Sequence, residues 1–265
     1  MSELDERGDL AVAAARAGAE EALDRFRGEI TVETKENKND LVTAADRWAQ
    51  RTVVDRIREA FPDDPIVGEE EDELKEMPET GPAWIIDPID GTANYARGMR
   101  LWTTSVAAVE DGDPVAAASV MPAMGDAYTA DRATSRLNGE RMSVSDRTDP
   151  GTFAVAVLGW GPVADPSPYI DLTDTVIRRF GDMRRLGSMQ TALAFVASGE
   201  LDAAITTRRP RPWDSIAGAH LIDQAGGRVT DAEGRPWRHD SDALVVSNGH
   251  AHGAVVDAAG ESPST

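Results

Sequence analysis

A chain of 265 residues can bury a large core, in one large domain or two closely packed halves. It has no cysteine, which excludes disulfides, a thiol nucleophile and thiolate metal sites. A formal net charge of −20 argues against a nucleic-acid partner, whose phosphates it would repel, and no apolar run approaches the length of a membrane span.

Lysine occurs only at Lys35, Lys38 and Lys75; every other basic residue among the 27 is arginine. Many acids with so little lysine read as a salt-adapted (halophilic) surface, where screening removes the cost of like charge, or else as a plain acidic surface. Either way, only acids in apolar or turn contexts inform on function. The first residues, from Met1 to Glu6, lack the basic and apolar regions of a signal peptide, so a cytoplasmic protein is expected.

In chain order, residues 10–26 carry apolar side chains at helical spacing (Leu10, Val12, Ala13, Ala17, Leu23, Phe26). Residues 29–33 alternate around Ile30 and Val32 as a short strand. A polar loop follows, then a helix over about residues 43–60 with Trp48, Val53 and Ile57 on one face. Asp46 near its start is equally a helix-dipole acid or a site residue. Residues 65–68 form a strand running into glutamates. Glu69 sits at its end, where it is either a surface acid or a ligand, and residues 70–76 read as a solvated charge run.

Residues 84–92 read Trp-Ile-Ile-Asp-Pro-Ile-Asp-Gly-Thr. Trp84 to Ile86 end a buried strand; Pro88 has no N–H for a sheet, so the chain is expected to leave the strand there. Gly91 suits a turn, and a helix opens at Thr92 with unpaired N–H groups that suit an anion. Strands over residues 103–109, 115–121 and 126–130 then form an antiparallel meander, with tight turns at residues 110–114 and 137–141.

Residues 146–151 separate an N-terminal α+β half (1–147) from a C-terminal α/β half (148–260), followed by a polar tail (261–265). The second half alternates strand and helix: a strand at 153–158, a Gly/Pro-rich loop at 159–168, and a helix at 170–180 with Leu172, Val176, Ile177 and Phe180 as its apolar face. A helix follows over 189–197, a strand over 202–205, the basic loop Arg208-Arg209-Pro210-Arg211-Pro212, a helix from Trp213 to Ala225, strands at Val229 and 244–247, and a last helix over 250–258. His220 reads as structural; His239, His250 and His252 read as exposed loop or cap residues.

Glu69, Asp87, Asp90 and Asp214 each stand at a strand end or helix start. Carboxylates in such places suit Mg²⁺, which takes oxygen ligands and shares them with phosphate. Two such ions can clamp the attacking and leaving oxygens of an in-line displacement at phosphorus. Neither a Ser/His/Asp arrangement nor a P-loop is visible.

Four blocks carry a resemblance: Asp87-Pro88-Ile89-Asp90-Gly91-Thr92, Trp213-Asp214-Ser215-Ile216-Ala217-Gly218-Ala219 with Ala225-Gly226-Gly227, Gly68-Glu69-Glu70, and Asp40-Leu41-Val42-Thr43-Ala44-Ala45-Asp46. Over residues 10–258 the chain resembles the inositol monophosphatase superfamily of metal-dependent, lithium-sensitive sugar phosphatases, in style its archaeal members that hydrolyse both fructose 1,6-bisphosphate and inositol phosphates. The resemblance implies a layered αβαβα sandwich, often a homodimer, that hydrolyses a small-molecule phosphate ester with two or three Mg²⁺ ions. It implies one ion on Glu69, Asp87 and the Ile89 carbonyl, a second on Asp87, Asp90 and Asp214, and a weaker third near Glu69. Glu69 and Thr92 would orient the attacking water, with Asp46 behind Thr92. The N–H groups of Gly91 and Thr92 would hold the phosphate, and Lys35 would lie close by.

Substrate choice departs from the pattern. Thr207 stands where inositol-phosphate enzymes commonly carry a glutamate, and it cannot accept two sugar hydroxyls as a carboxylate does. Arg209 and Arg211 suit a second phosphate, or else surface pairing with acids. Arg184, Ser188 and Met189, at an Arg-x-Leu-Gly-Ser-like turn, complete the expected substrate contacts. A 3′-phosphoadenosine 5′-phosphate-type nucleotide phosphatase and a catalytically silent phospholigand-binding relative are the alternatives.

Overall fold

In a computed structural model the described residues are 3–28, 32–34, 41–70, 73–159 and 165–261. Helix α1 (Glu3–Arg25) leads to strands β1 (Val32–Thr34) and β2 (Leu41–Thr43), then α2 (Ala44–Ala60), β3 (Ile66–Gly68), β4 (Pro82–Asp90) and α3 (Thr92–Ala96). The meander follows as β5 (Thr103–Glu110), β6 (Asp113–Met121), β7 (Asp126–Ala130), β8 (Ser135–Leu137) and β9 (Glu140–Arg141). The second half holds β10 (Ala154–Val157), α4 (Ser167–Arg179), β11 (Asp182–Arg184), α5 (Met189–Ala197), β12 (Ala203–Thr206), α6 (Pro212–Gln224), β13 (Arg228–Thr230), β14 (Leu244–Ser247) and α7 (His252–Gly260). No helix among the described residues is long and apolar enough to cross a membrane.

Strands β3 to β9 form one seven-stranded sheet in sequence order, antiparallel except for the β3–β4 pair. The five-stranded sheet runs β11-β10-β12-β14-β13, with β10 parallel to both neighbours and β14 antiparallel to both of its own. Helices α1 and α2 cover the outer face of the large sheet, α5 and α6 lie between the sheets, and α4 and α7 cover the far face of the small one. The layers are therefore α, β, α, β, α, as expected. Each sheet is apolar on both faces because helices cover both.

Several side chains sit elsewhere than their spacing predicts. The buried face of α1 is Ala11, Ala14, Ala15, Gly18, Ala19 and Ala22, while Ala13 and Leu23 face solvent. Small residues win because α2 approaches closely: a Cβ at Gly18 would lie 2.5 Å from Val53 Cγ2. Trp48 is 42 % exposed, not buried with Val53 and Ile57, and Arg25 stacks on its ring at 4.3 Å. Ile177 of α4 is 59 % exposed, since Leu172 and Val176 already fill the contact with the sheet. Residues 29–31 of the first expected strand lie outside the described residues, as do 160–164 of the Gly/Pro-rich loop.

Candidate active site

The expectation that Pro88 ends the strand is corrected: β4 runs through Pro88 to Asp90. It does so with a bulge. Asp87 pairs with Ser105 and Asp90 with Thr103, so three steps on β4 oppose two on β5. The extra residue accommodates proline, and Thr104 Oγ1 satisfies the Pro88 carbonyl at 2.7 Å. The bulge also decides the chemistry. Residues three apart on a regular strand face opposite sides; one inserted residue brings Asp87 and Asp90 to the same side.

Asp214, in the first turn of α6, completes the group. Carboxylate oxygens of Asp87, Asp90 and Asp214 all lie within 4.8 Å of one another. Both Asp87 oxygens are buried with no hydrogen-bond partner, an arrangement costly unless a cation is to be held there. Burial first, then the charges of Glu69, Asp90 and Asp214, push the Asp87 carboxyl well above its usual value. Asp214 is likewise raised by burial and by Asp90 and Glu69, with Arg211 opposing. Asp90 is raised by burial, but Ser188 Oγ at 2.7 Å and the Gln190 N–H donate to its Oδ2 and hold it back. The donor set is hard oxygen in excess of local positive charge, which fits divalent cations of the Mg²⁺ type.

Beside the acids, Thr92 Oγ1 lies 3.0 Å from Asp46 Oδ1 and 3.1 Å from the Ile89 carbonyl. Asp46 is fully buried. Gly91 adopts φ +98°, and a Cβ there would meet the Leu101 carbonyl at 3.0 Å and Ser188 Cβ at 3.1 Å, so the turn admits only glycine. The Gly91 carbonyl accepts from the N–H groups of Asn94 and Tyr95, which starts α3 with the Gly91 and Thr92 N–H groups ahead of its first bond.

The Ser188 hydroxyl donates to Asp90 at 2.7 Å and caps α5 by accepting from Thr191 N–H at 3.1 Å, which places Ser188 beside the acids. Met189 is half-buried beside it. Arg184 ion-pairs with Asp182 on an edge strand. Thr207 is half-buried, Arg209 and Arg211 are exposed, and Arg211 lies close enough to Asp214 to favour its charged form. Lys35 lies outside the described residues. Glu70 is buried, not solvated, because Gln50 pairs with its backbone. His252 is buried between Ser247 Oγ and Thr230 Oγ1, each at 2.8 Å, so the reading of it as an exposed cap is corrected.

Gln190 lies in no motif of the sequence, yet it joins the two halves of the site. Its N–H binds Asp90, its Nε2 donates to the Trp213 carbonyl at 2.7 Å, and its Oε1 accepts from Gly218 N–H at 2.8 Å. It thereby fixes the Asp214 helix against Asp90. The available signal was a glutamine on the buried face of an apolar helix.

A family model described as the inositol monophosphatase family matches residues 3–264. The chain is 36 % identical over 236 residues to a Thermotoga maritima fructose-1,6-bisphosphatase/inositol-1-monophosphatase, covering 87 % of this chain and 86 % of that one. It is 32 % identical over 229 residues to the Nus factor SuhB of Escherichia coli, covering 85 % of each. A solved Thermotoga maritima IMPase superposes with a TM-score of 0.87 at 32 % identity, over 97 % of each chain. The chain therefore belongs to the inositol monophosphatase family, whose members are magnesium-dependent phosphatases.

Proposed function

We propose that the protein hydrolyses a small sugar or inositol phosphate, fructose 1,6-bisphosphate and/or inositol 1-phosphate, with water as nucleophile. The observation that carries this reading is the unpartnered Asp87 carboxylate among Asp90 and Asp214, beside Thr92 held by Asp46. Glu69, Asp87 and the Ile89 carbonyl would hold one Mg²⁺, and Asp87, Asp90 and Asp214 a second; a third would be weaker, near Glu69. When bound, such ions neutralise the phosphate and acidify a water.

The chain's own residues then do the following. Thr92 gives its hydroxyl hydrogen to Asp46, which leaves an Oγ1 lone pair free to accept a hydrogen from the attacking water. Glu69 accepts the other. The Gly91 and Thr92 N–H groups orient the phosphate. Thr207 cannot replace a carboxylate at a polyol, whereas exposed Arg209 and Arg211 suit a second phosphate. This favours a bisphosphate. The ion pair of Arg184 with Asp182 argues that it contributes less. The protein is read as a cytoplasmic homodimer.

The test is phosphate release in molar KCl with Mg²⁺, comparing fructose 1,6-bisphosphate with inositol 1-phosphate. The bisphosphate is expected to win, and Arg209→Ala or Arg211→Ala to remove its advantage. A preference for inositol 1-phosphate with neutral arginine variants would refute the second-phosphate reading. Mg²⁺ binding with no release from a broad panel, nucleotides included, would refute hydrolysis altogether.

A further inference from the structure

Glu69 lies in a bend directly after β3, on neither helix nor strand, yet its carboxylate must be placed against Asp87 and Asp214. Two side chains from elsewhere hold the backbone at Glu69 and its neighbours. Gln50 of α2, 1 % exposed, accepts from the Glu70 N–H at 2.9 Å and donates to the Glu70 carbonyl at 2.5 Å, a two-point match to one residue. Lys75 Nζ donates to three consecutive carbonyls, those of Gly68, Glu69 and Glu70, at 2.8, 3.1 and 3.2 Å. The segment returns onto β3 through Leu74, whose N–H reaches the Ile66 carbonyl at 3.1 Å and whose carbonyl accepts from Gly68 N–H at 3.0 Å. The Lys75 ammonium also lies 5.9 Å from the ring centroid of Trp213, the residue before Asp214.

Residue type supports a specific role. Arginine supplies nearly all the basic residues of this chain, and Lys75 is one of three lysines. Three converging carbonyls suit a compact ammonium with three rotatable donors; a planar guanidinium fork matches two parallel acceptors instead.

We propose that Lys75 and Gln50 are positioning residues that fix the Glu69 carboxylate for divalent-cation binding. Lys75 gathers the loop carbonyls and braces them against the start of the Asp214 helix. The inference rests on Glu69 being a cation ligand, as read above.

The experiment is a calorimetric Mg²⁺ titration of the full-length protein without substrate, alongside the metal-free melting temperature. Lys75→Ala is expected to raise the half-saturating Mg²⁺ concentration about fivefold, or about 1 kcal/mol. Added ethylammonium should restore part of the loss, and Lys75→Arg should not. A lower melting temperature with wild-type Mg²⁺ affinity would make Lys75 a structural brace only and overturn the proposal. Should Lys75→Ala not fold, Lys75→Arg and Gln50→Glu carry the same reading, and wild-type affinity in both overturns it. Failure of the underlying assignment shows separately, as Glu69→Gln binding Mg²⁺ like the wild type.

Discussion

Asp87 states the conflict on which the site is built. Its two oxygens are buried without a partner, and burial with the Glu69, Asp90 and Asp214 charges raises its carboxyl pKa. A group whose native pKa lies above its unfolded value of 3.8 binds more protons in the folded state. Its stabilising contribution is present at low pH and lost as pH rises through the native value. Without metal, therefore, stability falls as pH rises from about 4 toward neutrality. Asp87→Asn should flatten that slope and raise the metal-free melting temperature at pH 7 by a few degrees, for a gain on the order of 1–3 kcal/mol. It should also abolish the Mg²⁺-induced rise; thermal scans with and without Mg²⁺ check both, and a less stable metal-free variant would contradict the account. The two motif aspartates were legible because acids flanking a proline and a glycine are unusual at a strand end. The partners that orient Asp90 were less so: Gln190 stood out by no motif and the bond from Ser188 had no local sign, since residues about a hundred positions away leave no local pattern.

Elements set the spacing of the acids. Gly218 lets α6 lie against α5: a Cβ there would sit 2.4 Å from Leu193 Cβ and 2.8 Å from Gln190 Oε1. Gly218→Ala should destabilise the fold by about 1–3 kcal/mol and weaken Mg²⁺ binding by displacing Asp214; unchanged denaturant midpoint and affinity would contradict this. A second prediction concerns α7. Thr230 Oγ1 donates to the Asp231 carbonyl, so it accepts from His252 Nε2–H, and Ser247 Oγ lies 2.8 Å from Nδ1. Burial, then the Arg228 charge nearby, disfavours the charged ring and lowers its pKa from 6.5 to about 4. The unfolded chain binds the extra proton, so this contribution is full above pH 6.5 and lost as pH falls toward 4. In the Mg²⁺-loaded protein it amounts to on the order of 2 kcal/mol. Denaturation at pH 7 and pH 5 should show that loss, and His252→Gln should remove it. Helix and strand identities were largely legible from period and turn residues. Faces were less so: Trp48 and Ile177 fit an apolar stripe yet lie outside it, Trp48 under a stacked Arg25 and Ile177 because Leu172 and Val176 already fill the contact with the sheet.

At the scale of the molecule, the site forms where β4 of the large sheet meets the first turns of α5 and α6, which lie between the sheets. Neither half alone supplies the three aspartates. The order of elements alone did not give this convergence, which the motif resemblance implied; nor did it give the direction of β14, which pairs antiparallel with both β12 and β13 where strand–helix alternation suggests a parallel sheet. The net charge of −20 spreads mutual repulsion over the same surface. The melting temperature should rise by several degrees between dilute buffer and molar KCl, and a flat salt dependence would refute salt adaptation. The buried acids are read as the cation site of a hydrolase. The deciding experiment is phosphate release from fructose 1,6-bisphosphate and inositol 1-phosphate, with and without Mg²⁺, by the wild type and a folded Asp90→Asn variant. Release should require Mg²⁺ and fall at least about a hundredfold in the variant. Release that persists without Mg²⁺, or in Asp90→Asn, would contradict that reading.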